Sequence, residues 1–360
     1  MLHSSGVASL TPGVVEQLRR KHPRRHTAMP AAFAGFANRF DVDLEETFRK
    51  LKDKRGTGPS GRRNEYLKAL VARFEEPRAA EVMGLYNGFA NAFLNSELPA
   101  WFYLAEAAAR LVPLVKAEAE VLGGDPDVRP IAIGEVDTCA FTRAAYTGFT
   151  QGALASYLAP QQVAVGISAG LSILVHGVRA LLRVRTDFVV VRLDLRNAYN
   201  EVDRAVLLQR VAAVPELRPL ARFFHTMHAG ESALYLGDRS RLFAGVDGRA
   251  GDSASGVRQG SVESSASFCV AIHPELTGLD GTLRDVGGGA WGDMDDIYAV
   301  GPASAVFPAV ETFSRCVHES LGLVLRPEKL QCYSPAYSLE ACPFRAALAS
   351  SSMGRAPPIA

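Results

Sequence analysis

With 48% hydrophobic and 21% charged residues over 360 positions, the chain has the balance of a globular protein. That excludes a disordered polymer and leaves length for one large core or two ordinary ones. The net charge of +1 conceals an asymmetry: residues 1–80 carry 16 Lys/Arg against 9 Asp/Glu, a local +7, which leaves −6 to the remainder. A basic arm ahead of a carboxylate-rich body suits a protein that holds nucleic-acid phosphates with one part and metal ions with another.

Residues 1–30 lack periodicity, contain RRKHPRRH (Arg19 to His26) and are expected to form a basic, disordered arm. From 31 to 122 apolar residues recur at helical spacing, as in Leu44, Phe48, Leu51 and again Leu67, Leu70, Val71, Phe74. GTGPSGRR (Gly56 to Arg63) interrupts them as a loop, and helical pattern resumes from Trp101 to Val115. Next, GGDPDVRPIAIGE turns into a short strand, Ile131 to Ile133, followed by a long helical region, Thr138 to Leu182. Phe188-Val-Val-Val-Arg-Leu-Asp194 is a β-branched run with the character of a buried strand. Helices are expected over Arg204 to Val214 and Leu217 to Ala229, and a hairpin over 233–250, including Ala233-Leu-Tyr-Leu and Arg241-Leu-Phe-Ala. A loop at Gly256 to Gly260 opens a helix that runs to Leu276. Gly287 to Val300 reads as two short strands around an acidic turn, before a helix over Ala305 to Leu321 and a final strand over Gly322 to Leu325. The tail is small, polar and Pro-containing, and is expected to be mostly disordered over 336–360.

Five widely spaced cysteines (Cys139, Cys269, Cys316, Cys332, Cys342), with no CxxC pair, argue against a disulfide framework or a zinc site and fit a reducing compartment. The start has no charged region followed by an apolar run, and the most apolar stretch, Val163 to Leu182, is broken by His176 and Arg179. The expectation is a soluble intracellular protein, nuclear or cytoplasmic, with no membrane partner.

Two acidic sites stand where strands end: Asp194 in VVVRLDLRNAYN, and Asp295-Asp296 in AWGDMDDIYAV. A carboxylate at the end of a buried strand is costly unless a cation balances it. Three of them can hold two Mg²⁺ ions about 3.5–4 Å apart, the arrangement that activates a hydroxyl and stabilises a leaving pyrophosphate. Taken singly, each site is also explained by a turn or a helix cap, which Asp favours.

The order of blocks adds to this. DLRNAYNEVDR (Asp194 to Arg204) resembles motif A of non-LTR (LINE-like) reverse transcriptases, and GVRQGSVESSASFCVAI (Gly256 to Ile272) resembles motif B. MDDIYAVGP (Met294 to Pro302) resembles motif C, and LGLVLRPEKLQCY (Leu321 to Tyr333) motif D. VRPIAIGE (Val128 to Glu135) and LAPQQVAVG (Leu158 to Gly166) resemble the finger segments that precede motif A, so the likeness spans about 110 to 335 in order. It implies an α+β right-hand polymerase, with helical fingers, an antiparallel palm sheet and no thumb. The fingers and palm would occupy 123–335, behind a helical N-terminal extension over 31–122.

The resemblance also implies residue roles. Asp194 and Asp295 would bind two Mg²⁺ ions (Mn²⁺ being an alternative), with Asp296 in support and the Leu195 carbonyl as a further ligand. Tyr199, five residues after Asp194, would be the gate that excludes a ribose 2′-hydroxyl. Gln259 and Gly260 would contact the nucleotide–template pair. Arg129 and Lys116 would bind the triphosphate, and Lys329 would protonate the pyrophosphate. The partners implied are an RNA template, a DNA primer and dNTPs; the oligomeric state is left open.

The sequence departs from the family pattern at several points. Asp293 stands two residues before Asp295, on the same side by strand alternation, where like-charge repulsion raises a pKa. Motif B has Ser261-Val-Glu-Ser where Asp-Pro-Leu-Ser is common, and motif D has Arg326 where Asn is common. About 25 residues follow motif D, too few for a thumb. The rival expectation is therefore an inactive retroelement fragment that binds nucleic acid without polymerising.

Overall fold

The computed structural model describes residues 4–24, 27–30, 39–72, 77–116, 121–122, 124–237 and 249–336. Its chain divides into two compact units, Met1–Gln151 with Tyr199–Ser264 and Gly152–Ala198 with Ser265–Ala360. Both combine helices with sheet, an α+β composition.

The first unit starts with β1 (Ser4–Val7) and α1 (Pro12–Arg20). The sequence reading expects a disordered arm here, but α1 has local start and stop signals. Thr11 caps it by accepting from the Val14 amide (3.2 Å), Pro12 opens it, and Arg19 and Arg20 lie in its last turn. Val14 and Leu18, four apart, are fully buried against sheet residues, so the basic residues mark only the solvent face of a docked helix. The helices α2 (Glu45–Arg49), α3 (Asn64–Ala72), α4 (Pro77–Leu94) and α5 (Ala100–Glu106) follow. Asn87 and Asn91 on α4, and Asn95 just past its end, accept from the amides of Leu44, Val42 and Phe40 in turn (3.1, 2.8 and 2.8 Å). Four helical residues rise about 6 Å and two extended ones about 6.6 Å, so an Asn at every fourth position can serve alternate amides of a chain lying along the helix.

Where the sequence suggests continued helix, Ala109–Lys116 is a strand, β2. Burial alternates along it, with Ala109, Leu111 and Pro113 inside, and that period of two overrides the apolar content. Beyond β3 (Val121–Leu122) and β4 (Asp125–Pro126), β5 (Val128–Ile133) pairs antiparallel with β2. The expected long helical region is broken into α6 (Val136–Ala145), a π-helical turn (Tyr146–Thr150), α7 (Gln151–Leu158) and α8 (Gly170–Val184). After β6 (Phe188–Leu193) and α9 (Ala198–Glu201), the first unit resumes with α10 (Arg204–Ala213), α11 (Arg218–His228), β7 (Ser232–Tyr235) and β8 (Arg249–Ser253). The expected hairpin is present as β7 with β8; its segment Arg241 to Ala244 lies outside the described residues. β2 is central in this sheet, with β5 along one edge and β7 and β1 sharing the other.

The second unit holds α7, α8 and β6, then α12 (Ser264–Arg284), β9 (Gly289–Asp293), β10 (Asp296–Pro302), α13 (Ala303–Leu321) and β11 (Gln331–Tyr333). Its sheet runs β11-β6-β10-β9, antiparallel throughout. The last strand is β11 rather than Gly322 to Leu325, of which only Leu325 makes an isolated bridge, to Leu195. On β6, Val189, Val191 and Leu193 are buried on one face. On the other, Phe188 packs with Leu182 of α8 and Val300 of β10. Cys139, Cys269, Cys316 and Cys332 are free thiols, and Cys342 lies outside the described residues. Among the described residues no helix is long and apolar enough to cross a membrane.

Candidate active site

β6 and β10 are read together by their ladder, which pairs Leu193 with Ile297. One step further along, Asp194 leaves β6 and Asp296 begins β10, so these two carboxylates are neighbours across the sheet. β10 and β9 close as a hairpin in which Asp296 pairs with Asp293, and Met294 and Asp295 form the turn. Met294 takes φ +61°, as the first residue of a tight hairpin turn requires. Sequence alternation assumes one continuous strand, but a turn intervenes: Asp293 ends β9 paired with Asp296, and Asp295 stands in the turn between the strands.

The turn is clamped from within the same unit. Gln162, fully buried, donates through Nε2 to the Met294 carbonyl (3.0 Å) and accepts at Oε1 from the Met294 amide (3.2 Å). The Gly292 amide donates to Gln161 O (2.7 Å) and the Val163 amide to Gly292 O (2.9 Å), adding a short parallel contact to the β9 edge. Gln161 is also fixed, donating to the buried Asp280 (2.7 Å). Neither glutamine stands out as a site residue in sequence, where only their block, LAPQQVAVG, draws notice.

Burial, then Asp296, then Asp194 push the Asp295 carboxyl up to about 6. Asp293 is also raised, by burial first and Asp296 second. Two arginines answer this charge. Arg192, on β6, donates to Asp296 Oδ1 through Nη2 (2.7 Å) and Nε (3.2 Å), and reaches Gln331 on β11 (3.4 Å). Arg326 forks onto Asp194, with Nη2 2.8 Å from Oδ2 and Nε 3.1 Å from Oδ1, while its amide donates to the Asp194 carbonyl (2.9 Å). Leu195, buried, lies in the adjoining bridge to Leu325, whose two hydrogen bonds use the neighbouring residues' groups rather than the Leu195 carbonyl. Lys329 is exposed in the 3₁₀ turn Pro327–Lys329, just after Arg326.

As a donor set, three carboxylates and a main-chain carbonyl are hard oxygen ligands of the kind Mg²⁺ takes, and the raised Asp295 is a charge a cation would relieve. The residues fit such an ion chemically. In the arrangement present, arginine nitrogens hold Asp194 and Asp296, and no three acidic, His or Cys side chains among the described residues form a ready cage.

The other sequence-selected residues belong to the first unit. Arg129 sits on β5 opposite Leu114, and Lys116 lies two residues along β2 on the same face. The Lys116 ammonium is held by Asp127 (2.5 Å). Tyr199 is buried, and its carbonyl accepts from the Val257 amide (2.6 Å). Gly256 (φ +60°) packs on that segment so closely that a Cβ would lie 2.3 Å from Tyr199 O. At Gly260 (φ +115°) a Cβ would lie 2.5 Å from Ala132 O, so the close approach that needs glycine here is to β5 itself. The Ala132 amide donates to Gln259 O (2.7 Å), and Gln259 Oε1 is buried with no hydrogen-bond partner among the described residues. Arg204, which ends the block DLRNAYNEVDR, is almost wholly buried and donates to Gly256 O, His228 O, Ser253 O and Oγ, and Ser255 O.

Compared with known proteins, the chain matches no family model and no curated sequence.

Proposed function

We propose that the chain is an RNA-directed DNA polymerase of the reverse transcriptase type, with fingers and palm over 123–335. One observation carries the reading: Asp194 at the end of β6, Asp296 at the start of β10 and Asp295 in the turn between β9 and β10, gathered on an antiparallel sheet. The ordered motifs supply the rest. The reaction is attack of a primer 3′-hydroxyl on the α-phosphorus of a dNTP, with pyrophosphate leaving. Asp194 and Asp295 would hold two Mg²⁺ (or Mn²⁺) ions, with Asp296 and the Leu195 carbonyl in support, and bound ions would supply charge neutralisation. Lys329 gives a proton to the departing pyrophosphate. Tyr199 selects against rNTPs, Gln259 and Gly260 border the nucleotide–template pair, and Arg129 and Lys116 grip the triphosphate.

A basic concavity of about 340 Å³ in the first unit supports a nucleic-acid partner. Lys54, Arg55, Arg63 and Arg110 line it against a single carboxylate, Glu65. A nonspecific hold on RNA by phosphate charge needs no more than such a surface.

The second reading, a nucleic-acid-binding protein without polymerase activity, is favoured by the arginines on Asp194 and Asp296. Primer extension on an RNA template with dNTPs and Mg²⁺ separates the two. Extension by the wild-type chain that disappears in Asp295→Ala supports the polymerase. Retained template binding without extension supports the second reading.

A further inference from the structure

We propose that Arg326 is the resident counter-ion of Asp194, and that a divalent cation reaches Asp194 only by displacing the Arg326 side chain. The inference rests on the reading that this acidic site takes a cation. Arg326 Nη2 contacts both Asp194 oxygens, and Nε contacts Oδ1, so the guanidinium fork covers the carboxylate edge that an ion would use. Ion and guanidinium carry the same sign and cannot share that edge at low cost.

The surroundings make the exchange a matter of one side chain. The Arg326 backbone is tied down by its amide on Asp194 O (2.9 Å), beside the Leu195–Leu325 bridge and the Arg196 amide on Val324 O (2.8 Å). The side chains of Arg326 and Asp194 keep 23% and 31% of their exposure, so the guanidinium has water to swing into. The pair on Asp296 differs, because Arg192 lies within β6 and is also held by Gln331. Arg326 therefore sets how strongly the site binds its cation, and an uncharged residue there leaves Asp194 open.

Mn²⁺ binding to the full chain, followed by the electron paramagnetic resonance signal of the free ion, tests this without an activity readout. Arg326→Gln is expected to tighten Mn²⁺ binding by about tenfold or more, the scale of a lost charge-assisted hydrogen-bond pair. Asp194→Asn is expected to weaken it. Equal affinity in wild type and Arg326→Gln, with weakening in Asp194→Asn, would overturn the proposal and leave the cation site standing. Absence of binding in every variant would remove the cation reading and the proposal with it. Should Arg326→Gln not fold, the Arg326 Nε–H resonance of the wild-type chain gives the answer during Mg²⁺ titration. A shift to a solvent-exposed arginine signal supports displacement; an unchanged signal at saturating Mg²⁺ rejects it.

Discussion

Asp295 carries an electrostatic cost that a structural turn residue does not need. Its folded pKa of about 6 lies above the ordinary carboxylate value, so between about pH 4 and 6 the folded state binds more protons than the unfolded state. The stabilising contribution is complete at low pH and is lost as pH rises through about 6. In chelator-treated protein at pH 7, Asp295→Asn should therefore raise the melting temperature, by the equivalent of about 1–3 kcal/mol. Near pH 4 the two proteins should melt together. Asp127 has the opposite sign. Burial pushes it up, but hydrogen bonds from Lys116 and Lys21 prevail and hold it at about 2. That contribution is present at neutral pH and lost as pH falls from about 4 through 2. The double variant Lys21→Ala/Lys116→Ala should melt below wild type at pH 7, with the gap narrowing in acid.

Elements of the first unit converge on a single cation, the buried Arg204, which joins α10 to the end of α11, to β8 and to the Gly256 loop. Arg204→Met leaves four carbonyls without that donor and should cost about 3–5 kcal/mol, measured by denaturant unfolding, with loss of near-ultraviolet dichroism. Sequence patterns reveal some of these elements better than others. β6 is legible because four β-branched or aromatic residues run together, and the β9–β10 hairpin because turn residues flank short apolar runs. α1 is hidden by its basic face, although Val14 and Leu18 have the right spacing. β2 is misread as helix because an alanine run, Ala107 to Ala109, carries the pattern of α5 straight into it, and only its alternating burial betrays the strand. The three carboxylates are legible from strand ends and motif order. The relation of Asp293 to Asp295 is not, because it depends on where two turn residues fall. The roles of Gln162, Arg192 and Arg326 are equally hidden, since each is made by a partner about 100 or more residues away.

Across the whole molecule, the basic surplus of residues 1–80 takes a definite form in the concavity lined by Lys54, Arg55 and Arg63. If it grips phosphates, replacing those three by alanine should weaken single-stranded RNA binding uniformly across sequences. The slope of log affinity against log salt should fall by about two, read by fluorescence anisotropy over a salt series. Such a result bears on nucleic-acid binding alone, which both functional readings share. The proposed polymerisation rests on the carboxylates of the second unit, and its direct test is single-turnover primer extension on an RNA template with dNTPs and Mg²⁺. Wild type is compared there with Asp194→Asn, Asp295→Asn and Asp293→Asn. Wild type is expected to extend the primer, with a loss of at least about a hundredfold in the first two variants and a rate within a few-fold of wild type for Asp293→Asn. Extension at the wild-type rate by Asp194→Asn or Asp295→Asn, or none by wild type, would contradict the polymerase reading.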